Sequence, residues 1–534
     1  MTAPAPAFQP GSREKNIEQL RRRTLDVLIL GGGINGAGIA HDLTLRARLA
    51  RKPLRVGLVE QRHFASGTSG RNSQLIHGGL RYLKNLEFGL VREALQERAT
   101  LLRIAPHLVE PLPMIMPMYG LVPRLYYGAG LWLYDLLAGR QNVGRRSYLS
   151  REKLGELEPT LRAGGLHSAA IFYDCRVHSA RLVLENIFDA ARDGAIIANY
   201  VKAVDIVREG DGFRVEVKDT LRGHGYFIRA RKVVDARGPW EEGGAMRLVR
   251  GSHLVLPRVN SSDNAIAHFG ADGRILFIIP WGPQNRLSLV GTTDIDHRGD
   301  AEDVRIAREE VEYLYDAVAV LFPRVRQVKP VAAYSSLRPL LMEKGKSATE
   351  TSRQHKIWFG ADGLLHISGG KYTTYRLMSE EAATMLAGQV APHLAEPAPA
   401  GTAGLGGNSP ASQQRLLRES ERLMAHYAVD EQEMKLVAKN YGVQTENVLG
   451  LAPVRAPQGL TRLECAIVQY AFRHEMAQRL ADLLFVSTYW GYEQEWSEDR
   501  LRLLAGYIAG ITGWGAARIE EEIGLVLRLT AFPA

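Results

Sequence analysis

The sequence predicts an α/β fold in which a parallel-sheet domain is interrupted by an α+β insertion and followed by an all-α C-terminal domain. Three observations carry this expectation. A short apolar run, Leu25 to Leu30, passes through Gly31-Gly32-Gly33 into a stretch with helical spacing. A second glycine turn, Gly369-Gly370, opens another helical stretch far downstream. After the stretch 388–412, rich in Pro, Gly, Ala and Ser, Gln413 to Leu529 shows mostly helical periodicity.

At 534 residues the chain is too long for one ordinary core, and about three domains are expected. With 46% hydrophobic and 23% charged residues the composition is that of a soluble globular protein. Cys175 and Cys465 are the only cysteines, which argues against a disulfide scaffold and a cysteine-built zinc site. No apolar run reaches the roughly 18 to 20 residues of a membrane span. The N-terminal MTAPAPAFQPGSREKNIEQLRRR has no apolar signal core, so export is not expected, and it reads as a short lead into a basic helix. The net charge of +9 favours anionic partners. With no RNP signature, zinc-finger spacing or basic–aromatic repeat, nucleic acid is not expected among them.

Leu25 to Leu30 suits a strand buried in a parallel sheet. Gly31-Gly32-Gly33-Ile34-Asn35-Gly36 then supplies G-x-G-x-x-G. Gly31 allows the turn, Gly33 lets backbone approach a pyrophosphate, and Gly36 lets helix and strand pack closely. The helix start favours phosphate through its amides and dipole. LRVGLVE reads as a second strand ending in Glu60, 24 residues after Gly36, placed to accept hydrogen bonds from a ribose. A solvated glycine turn with a surface Glu is the bland alternative, and this context disfavours it.

The first unit does not separate FAD from NAD. GLLHISGGKYTTYRLMSEEAATML offers a strand, Gly369-Gly370, Lys371 and a helix, and RKVVDARGPW reads as a strand with a Gly-Pro stop. Three separated segments on one nucleotide fold suit a flavoprotein, whereas a simple NAD domain is usually continuous.

These motifs, with TSGRNSQLIHGGLRYL, FYDCRVHSARLVLEN, RGSHLVLPRV, FIIPW, VGTTDID, SSLRPLL and SGGKYTTYR, span about Leu25 to Met378. In content and order the chain resembles the FAD-dependent glycerol-3-phosphate dehydrogenases, quinone-linked members of the D-amino-acid-oxidase-like flavoproteins. The resemblance implies a Rossmann-like FAD domain (D-amino-acid-oxidase/glutathione-reductase-like) built from 22–113, 168–245 and 358–392. It is interrupted by a substrate (cap) domain, 114–167 and 246–357, and followed by a linker, 393–411, and a helical domain, 412–534, that serves packing or dimer contact. It implies noncovalent FAD, with which the distance in sequence of both cysteines from Gly369-Gly370-Lys371 agrees. It also implies oxidation of sn-glycerol 3-phosphate to dihydroxyacetone phosphate by hydride transfer from C2 to flavin N5. Electrons would pass to quinone at the inner face of the cell membrane, where the cytoplasmic enzyme is peripherally bound.

The resemblance also assigns roles. Thr68 and Ser69 lie near the pyrophosphate or the flavin. Gly78 and Gly79 let backbone approach the flat ring, and Arg81 and Tyr82 face the substrate. A small dianion needs cations, and Arg binds phosphate oxygens bidentately. Arg338 holds the phosphate, with Arg353 and Arg81 as further cations. His253 is the candidate base for the C2 hydroxyl, since neutral imidazole titrates near working pH. Lys371, beside Gly369 and Gly370 at the cofactor, either stabilises developing charge, contacts phosphate or is itself the base. The chain departs from the family's pattern at Arg237, usually a small residue, and at His178-Ser179, usually an acidic pair.

Met114 to Leu137 is apolar and aromatic, with Tyr126, Tyr127, Trp132 and Tyr134, and reads equally as a membrane-interface surface or a buried cap helix. Arg21 to Arg23 would add attraction to anionic lipid or is a solvated run. The rival functions are an oxidase or dehydrogenase for another polyol phosphate such as erythritol phosphate, a tRNA-binding flavoprotein and a flavin-binding membrane scaffold. The absence of the oxidases' long insertion favours a dehydrogenase.

Overall fold

The computed structural model describes residues 4–241, 246–270, 273–341, 355–399 and 404–532. Its first sheet grows from β1 (Thr24–Leu30), whose apolar residues are buried because strands flank it and layers cover both faces. β2 (Val56–Glu60) pairs in parallel on one side and β10 (Gly225–Asp235) on the other, with Val27 opposite Val56 and Leu28 opposite Val233. With β7 (Ile196–Asn199), β17 (His355–Phe359) and β18 (Leu365–Gly369) the order is β17-β18-β10-β1-β2-β7. β8 (Val201–Glu209) and β9 (Gly212–Asp219) extend from β10 as an antiparallel meander. Helices α2 (Ile34–Ala50), α6 (Ser179–Arg192) and α8 (Tyr375–Val390) pack together, with α2 and α8 against the sheet. α1 (Ser12–Arg22) packs on β7 and β10.

The second sheet has the order β15-β11-β14-β13-β12-β4-β6-β3. Its strands are β3 (Leu75–Ile76), β4 (Val109–Met118), β6 (Ser168–Val177), β11 (Met246–Pro257), β12 (Ala265–Phe269), β13 (Ile275–Trp281), β14 (Leu287–Gly291) and β15 (Ile295–Asp296). β5 (Ser147–Ser150) pairs with β6, and β16 (Ala332–Leu341) pairs with β11. α3 (Phe88–Ile104) and α4 (Leu121–Ala138) pack together near β4 and β6, α5 (Arg151–Leu157) lies by β5, and α7 (Arg308–Ala319) covers β11 and β13.

The chain after Pro410 is helical, from Pro410–Tyr427 to Ala516–Thr530. It docks through a buried ion pair of Arg181 with Glu475 and through the Tyr489 hydroxyl, which donates to Gly70 O at 2.9 Å and accepts from Ala180 N at 3.1 Å. Cys175 and Cys465 are buried free thiols. Among the described residues no helix is long and apolar enough to cross a membrane.

The expected segments do not follow the sheets throughout. β3 and the start of β4, inside 22–113, and β6, inside 168–245, belong to the second sheet, and β17, largely inside 246–357, belongs to the first. The apolar segment Met114 to Leu137 is not one element: Met114 to Met118 end β4, Gly120 at φ 107° turns the chain, and α4 follows. Apolarity runs through both elements, so composition does not mark the break.

Candidate active site

A cavity lies where the C-terminal ends of β1, β2, β10 and β18 meet the second sheet, and it is lined from both. At its nucleotide end Gly31 takes φ 110° and donates to Val59 O at 2.8 Å. A Cβ there would stand 2.5 Å from Ala236 O, so only glycine fits the turn. Gly33 caps α2 and lines the cavity, while a Cβ at Gly36, away from it, would overlap Gly31 O.

Glu60 ends β2 at the cavity and accepts from the amides of Gly32 at 2.7 Å and Arg62 at 2.8 Å. Burial pushes its carboxyl above the ordinary range, against those amides. Ser69 Oγ accepts from Ile34 N at 2.9 Å, giving α2 a cap that its own Ncap glycine lacks. Thr68 donates to Leu337 O at 2.5 Å and ties this loop to β16. Both line the cavity.

The 3-10 turn Leu80–Asn85 brings Tyr82 to the cavity beside Gly79, at φ 79°. Lys371 Nζ stands 3.8 Å from the Tyr82 ring centre, and a Cβ at Gly79 would approach that Nζ to 3.3 Å. Gly369 and Gly370, at φ 74° and 82°, carry the backbone along the cavity to Lys371.

Gly78 departs from its expected role. Its amide donates to Asp174 Oδ1 at 3.1 Å, and a Cβ would overlap Tyr134 and Leu95, so it serves packing and does not line the cavity. Asp174 also accepts from Tyr134 at 2.6 Å and Arg98 at 2.7 Å. Burial raises its pKa, and Arg98 opposes the rise.

Arg338 projects from β16 into the cavity wall. Its guanidinium donates to Thr292 Oγ1 at 2.8 Å, Thr293 O at 3.1 Å and Asp294 Oδ1 at 2.5 Å. The space comes from Gly251 on β11, where a Cβ would overlap the guanidinium.

His253, two residues along β11, is 2% exposed and does not line the cavity. Its Nε2 is 2.8 Å from Ser73 Oγ, which does line it, and its ring stacks on Tyr334 with centroids 5.0 Å apart. Burial, joined by the Arg338 charge, lowers its pKa to about 3, so the imidazole is neutral at working pH. Ser73, and not His253 itself, therefore presents a polar group to the cavity. Arg353 lies outside the described residues, and of Arg81 the structure describes the backbone, within the 3-10 turn.

Sequence reasoning missed Ser73, Thr292, Asp294 and Asp174. All four lie in quoted motifs, but their roles depend on strands far apart in sequence. Arg237 lines the cavity and folds back on Asp235, with Nη2 to Oδ2 2.7 Å. His178 stands away from it, accepting from Arg181 N in the first turn of α6 and stacked on Tyr489 at 4.0 Å.

The cavity fits FAD on its own chemistry. Gly31, Gly33, Gly79 and Gly370 form a cradle of bare backbone along its wall, the start of α2 faces it, and Glu60 stands at the β2 end.

Comparison with known proteins agrees. Residues 26–376 match the FAD dependent oxidoreductase family, and residues 405–519 match the C-terminal domain of alpha-glycerophosphate oxidase. Glycerol-3-phosphate dehydrogenase 2 of Mycobacterium bovis is 33% identical over 97% of this chain and 90% of its own. The aerobic glycerol-3-phosphate dehydrogenase of Staphylococcus epidermidis is 32% identical over 88% of this chain and 87% of its own. The crystal structure of glycerol-3-phosphate dehydrogenase from Bacillus halodurans, complexed with FAD, superposes with a TM-score of 0.79 at 26% identity, covering 98% of this chain and 99% of that one.

Proposed function

Because the chain belongs to the FAD-dependent oxidoreductases, within their glycerol-3-phosphate dehydrogenase family, we propose that it oxidises sn-glycerol 3-phosphate to dihydroxyacetone phosphate and delivers the electrons to a quinone. The observation that carries the reading is Arg338, pinned by Thr292, Thr293 and Asp294 in the cavity that holds Lys371 and the glycine cradle.

Bound there without a covalent link, FAD supplies the acceptor for the hydride from C2. Arg338 takes the phosphate oxygens on its planar fork, and Arg81 and Arg353 complete the cation set. Lys371, with its Nζ 3.8 Å from the Tyr82 ring centre, stabilises developing negative charge at the C2 oxygen. The C2 hydroxyl gives its proton to Ser73 Oγ as Ser73 passes its own to His253 Nε2. A phosphate dianion on Arg338 offsets one of the two causes that depress the His253 pKa, so binding of substrate makes the base stronger.

The outer face of α4 supports peripheral membrane attachment. Leu121, Leu125, Trp132 and Leu136 are exposed along one stripe, beside exposed Tyr126, while Leu131 and Tyr134 are buried. Arg21 to Arg23 are at the end of α1 against the first sheet, with Arg21 and Arg22 near Glu18, and do not extend this stripe. Leu125→Glu with Trp132→Glu is expected to abolish co-sedimentation with anionic vesicles while flavin reduction by substrate persists. Wild-type protein that never sediments with the vesicles contradicts the attachment.

The acceptor and substrate are tested by turnover with a water-soluble quinone or with oxygen, on sn-glycerol 3-phosphate, glycerol and erythritol 4-phosphate. The reading expects turnover of the first substrate with quinone and little with oxygen. Equal use of oxygen would make the protein an oxidase, and preference for erythritol 4-phosphate would change the substrate.

A further inference from the structure

We propose that Asp174 binds the C1 hydroxyl of the polyol phosphate and so selects a substrate that carries one. The inference rests on the proposed substrate, whose phosphate and C2 hydroxyl already have partners in Arg338, Lys371 and Ser73. The C1 hydroxyl is the polar group still to be met.

Asp174 reaches the cavity from β6, beside Phe172 two residues earlier on the same face of the strand. All of its hydrogen bonds fall on one oxygen. Oδ1 accepts from Gly78 N at 3.1 Å, Tyr134 Oη at 2.6 Å and Arg98 Nη1 at 2.7 Å. Among the described residues Oδ2 accepts from none, yet it is not sealed in the interior, so it is the oxygen open to the cavity that Asp174 lines. Three donors on one oxygen, with the Arg98 guanidinium 0% exposed beside it, call for a carboxylate, because a charge buried that deeply needs its counter-charge. A carboxylate oxygen only accepts, and what Oδ2 lacks is a hydrogen-bond donor.

The position suits C1. β3 and β6 pair Ile76 with Cys175, which lays the next residues, His77 to Gly79, alongside Asp174. Gly78 is tied to Asp174, and Thr373 clasps His77, accepting from its amide at 3.2 Å and donating to its carbonyl at 3.3 Å. Lys371 is two residues before Thr373, and its Nζ lies 3.3 Å from where a Cβ on Gly79 would stand. The amine that meets the C2 oxygen and the Asp174 carboxylate therefore enter the cavity around the same tripeptide, and C1 is bonded to C2. The other described carboxylates lining the cavity are engaged elsewhere. Glu60 is at the nucleotide end with both oxygens on amides, and Asp294 holds Arg338.

The test compares anaerobic flavin reduction by sn-glycerol 3-phosphate with that by propane-1,2-diol 1-phosphate of matching C2 configuration, which lacks only the C1 hydroxyl. It is read as the ratio of the two second-order rate constants, for wild type, Asp174→Asn and Asp174→Ala. Wild type should favour glycerol 3-phosphate by about a hundredfold, since the analogue leaves a buried charged acceptor unpaired. In Asp174→Asn the three donors keep the amide oxygen and turn its NH2 to the cavity. A neutral contact then replaces the charge-assisted one, and the ratio should fall by about tenfold. Asp174→Ala should bring the ratio near unity, and the isosteric asparagine variant carries the test if the alanine variant misfolds. A slower reaction with an unchanged ratio overturns the proposal, because Asp174 would then act only by holding the Gly78 turn. Wild type that reduces its flavin equally fast with both compounds overturns it too. A flavin that stays oxidised with both refutes the proposed substrate itself, and this inference with it.

Discussion

Arg338→Ala is expected to lower kcat/KM for sn-glycerol 3-phosphate by about a thousandfold, or about 4 kcal/mol, within the range for truncating one partner of a desolvated charge pair. Two effects combine. The variant loses the fork that meets the phosphate, and it leaves Asp294, 7% exposed, as a negative charge beside an incoming dianion. Replacing Asp294 by Asn in the same protein should recover part of the loss. Arg338→Lys keeps the charge but not the paired bonds to Thr292 and Asp294, and should fall between wild type and Arg338→Ala. Initial rates against substrate concentration decide this, and a loss below about tenfold would remove Arg338 from the phosphate site.

His253→Ala should slow reduction of the bound flavin by about a hundredfold to ten-thousandfold, the usual contribution of a general base. Ser73→Ala should slow it too, because the structure puts the Ser73 hydroxyl between the imidazole and the cavity. Single-turnover reduction measures both, and a Ser73→Ala enzyme as fast as wild type would end the relay. The depressed pKa of His253 adds a prediction for stability. An unfolded chain protonates this histidine as pH falls below about 6.5, whereas the folded protein resists until about 3. Between those values the unfolded state binds more protons, so stability contributed here falls as pH drops through that window. His253→Asn should therefore lose less stability than wild type between pH 7 and 5, read from denaturant midpoints.

The nucleotide half was legible because its signals are local. Gly31, Gly33 and Gly36 act on their own turn and helix, and Glu60 ends the next strand. The other half depends on contacts between distant segments. Gly78 reads as a cavity glycine until Tyr134 and Leu95 are seen against it. The setback of His253 from the cavity follows from Ser73, 180 residues away, and from the pairing of β11 with β14 and β16. The motif singles out Arg338, but the threonines and aspartate that hold its guanidinium follow the end of another strand. Strand and helix in Met114 to Leu137 are both apolar, so only the glycine turn at Gly120 separates them.

The central claim is that a phosphate-bearing polyol reduces FAD in this cavity. The most direct measurement mixes the flavin-loaded protein with sn-glycerol 3-phosphate under anaerobic conditions, with glycerol alongside, and follows the visible absorption of oxidised flavin. Rapid bleaching by sn-glycerol 3-phosphate and none by glycerol is the predicted result. A flavin that stays oxidised with the phosphate ester, or bleaches equally with glycerol, would contradict it.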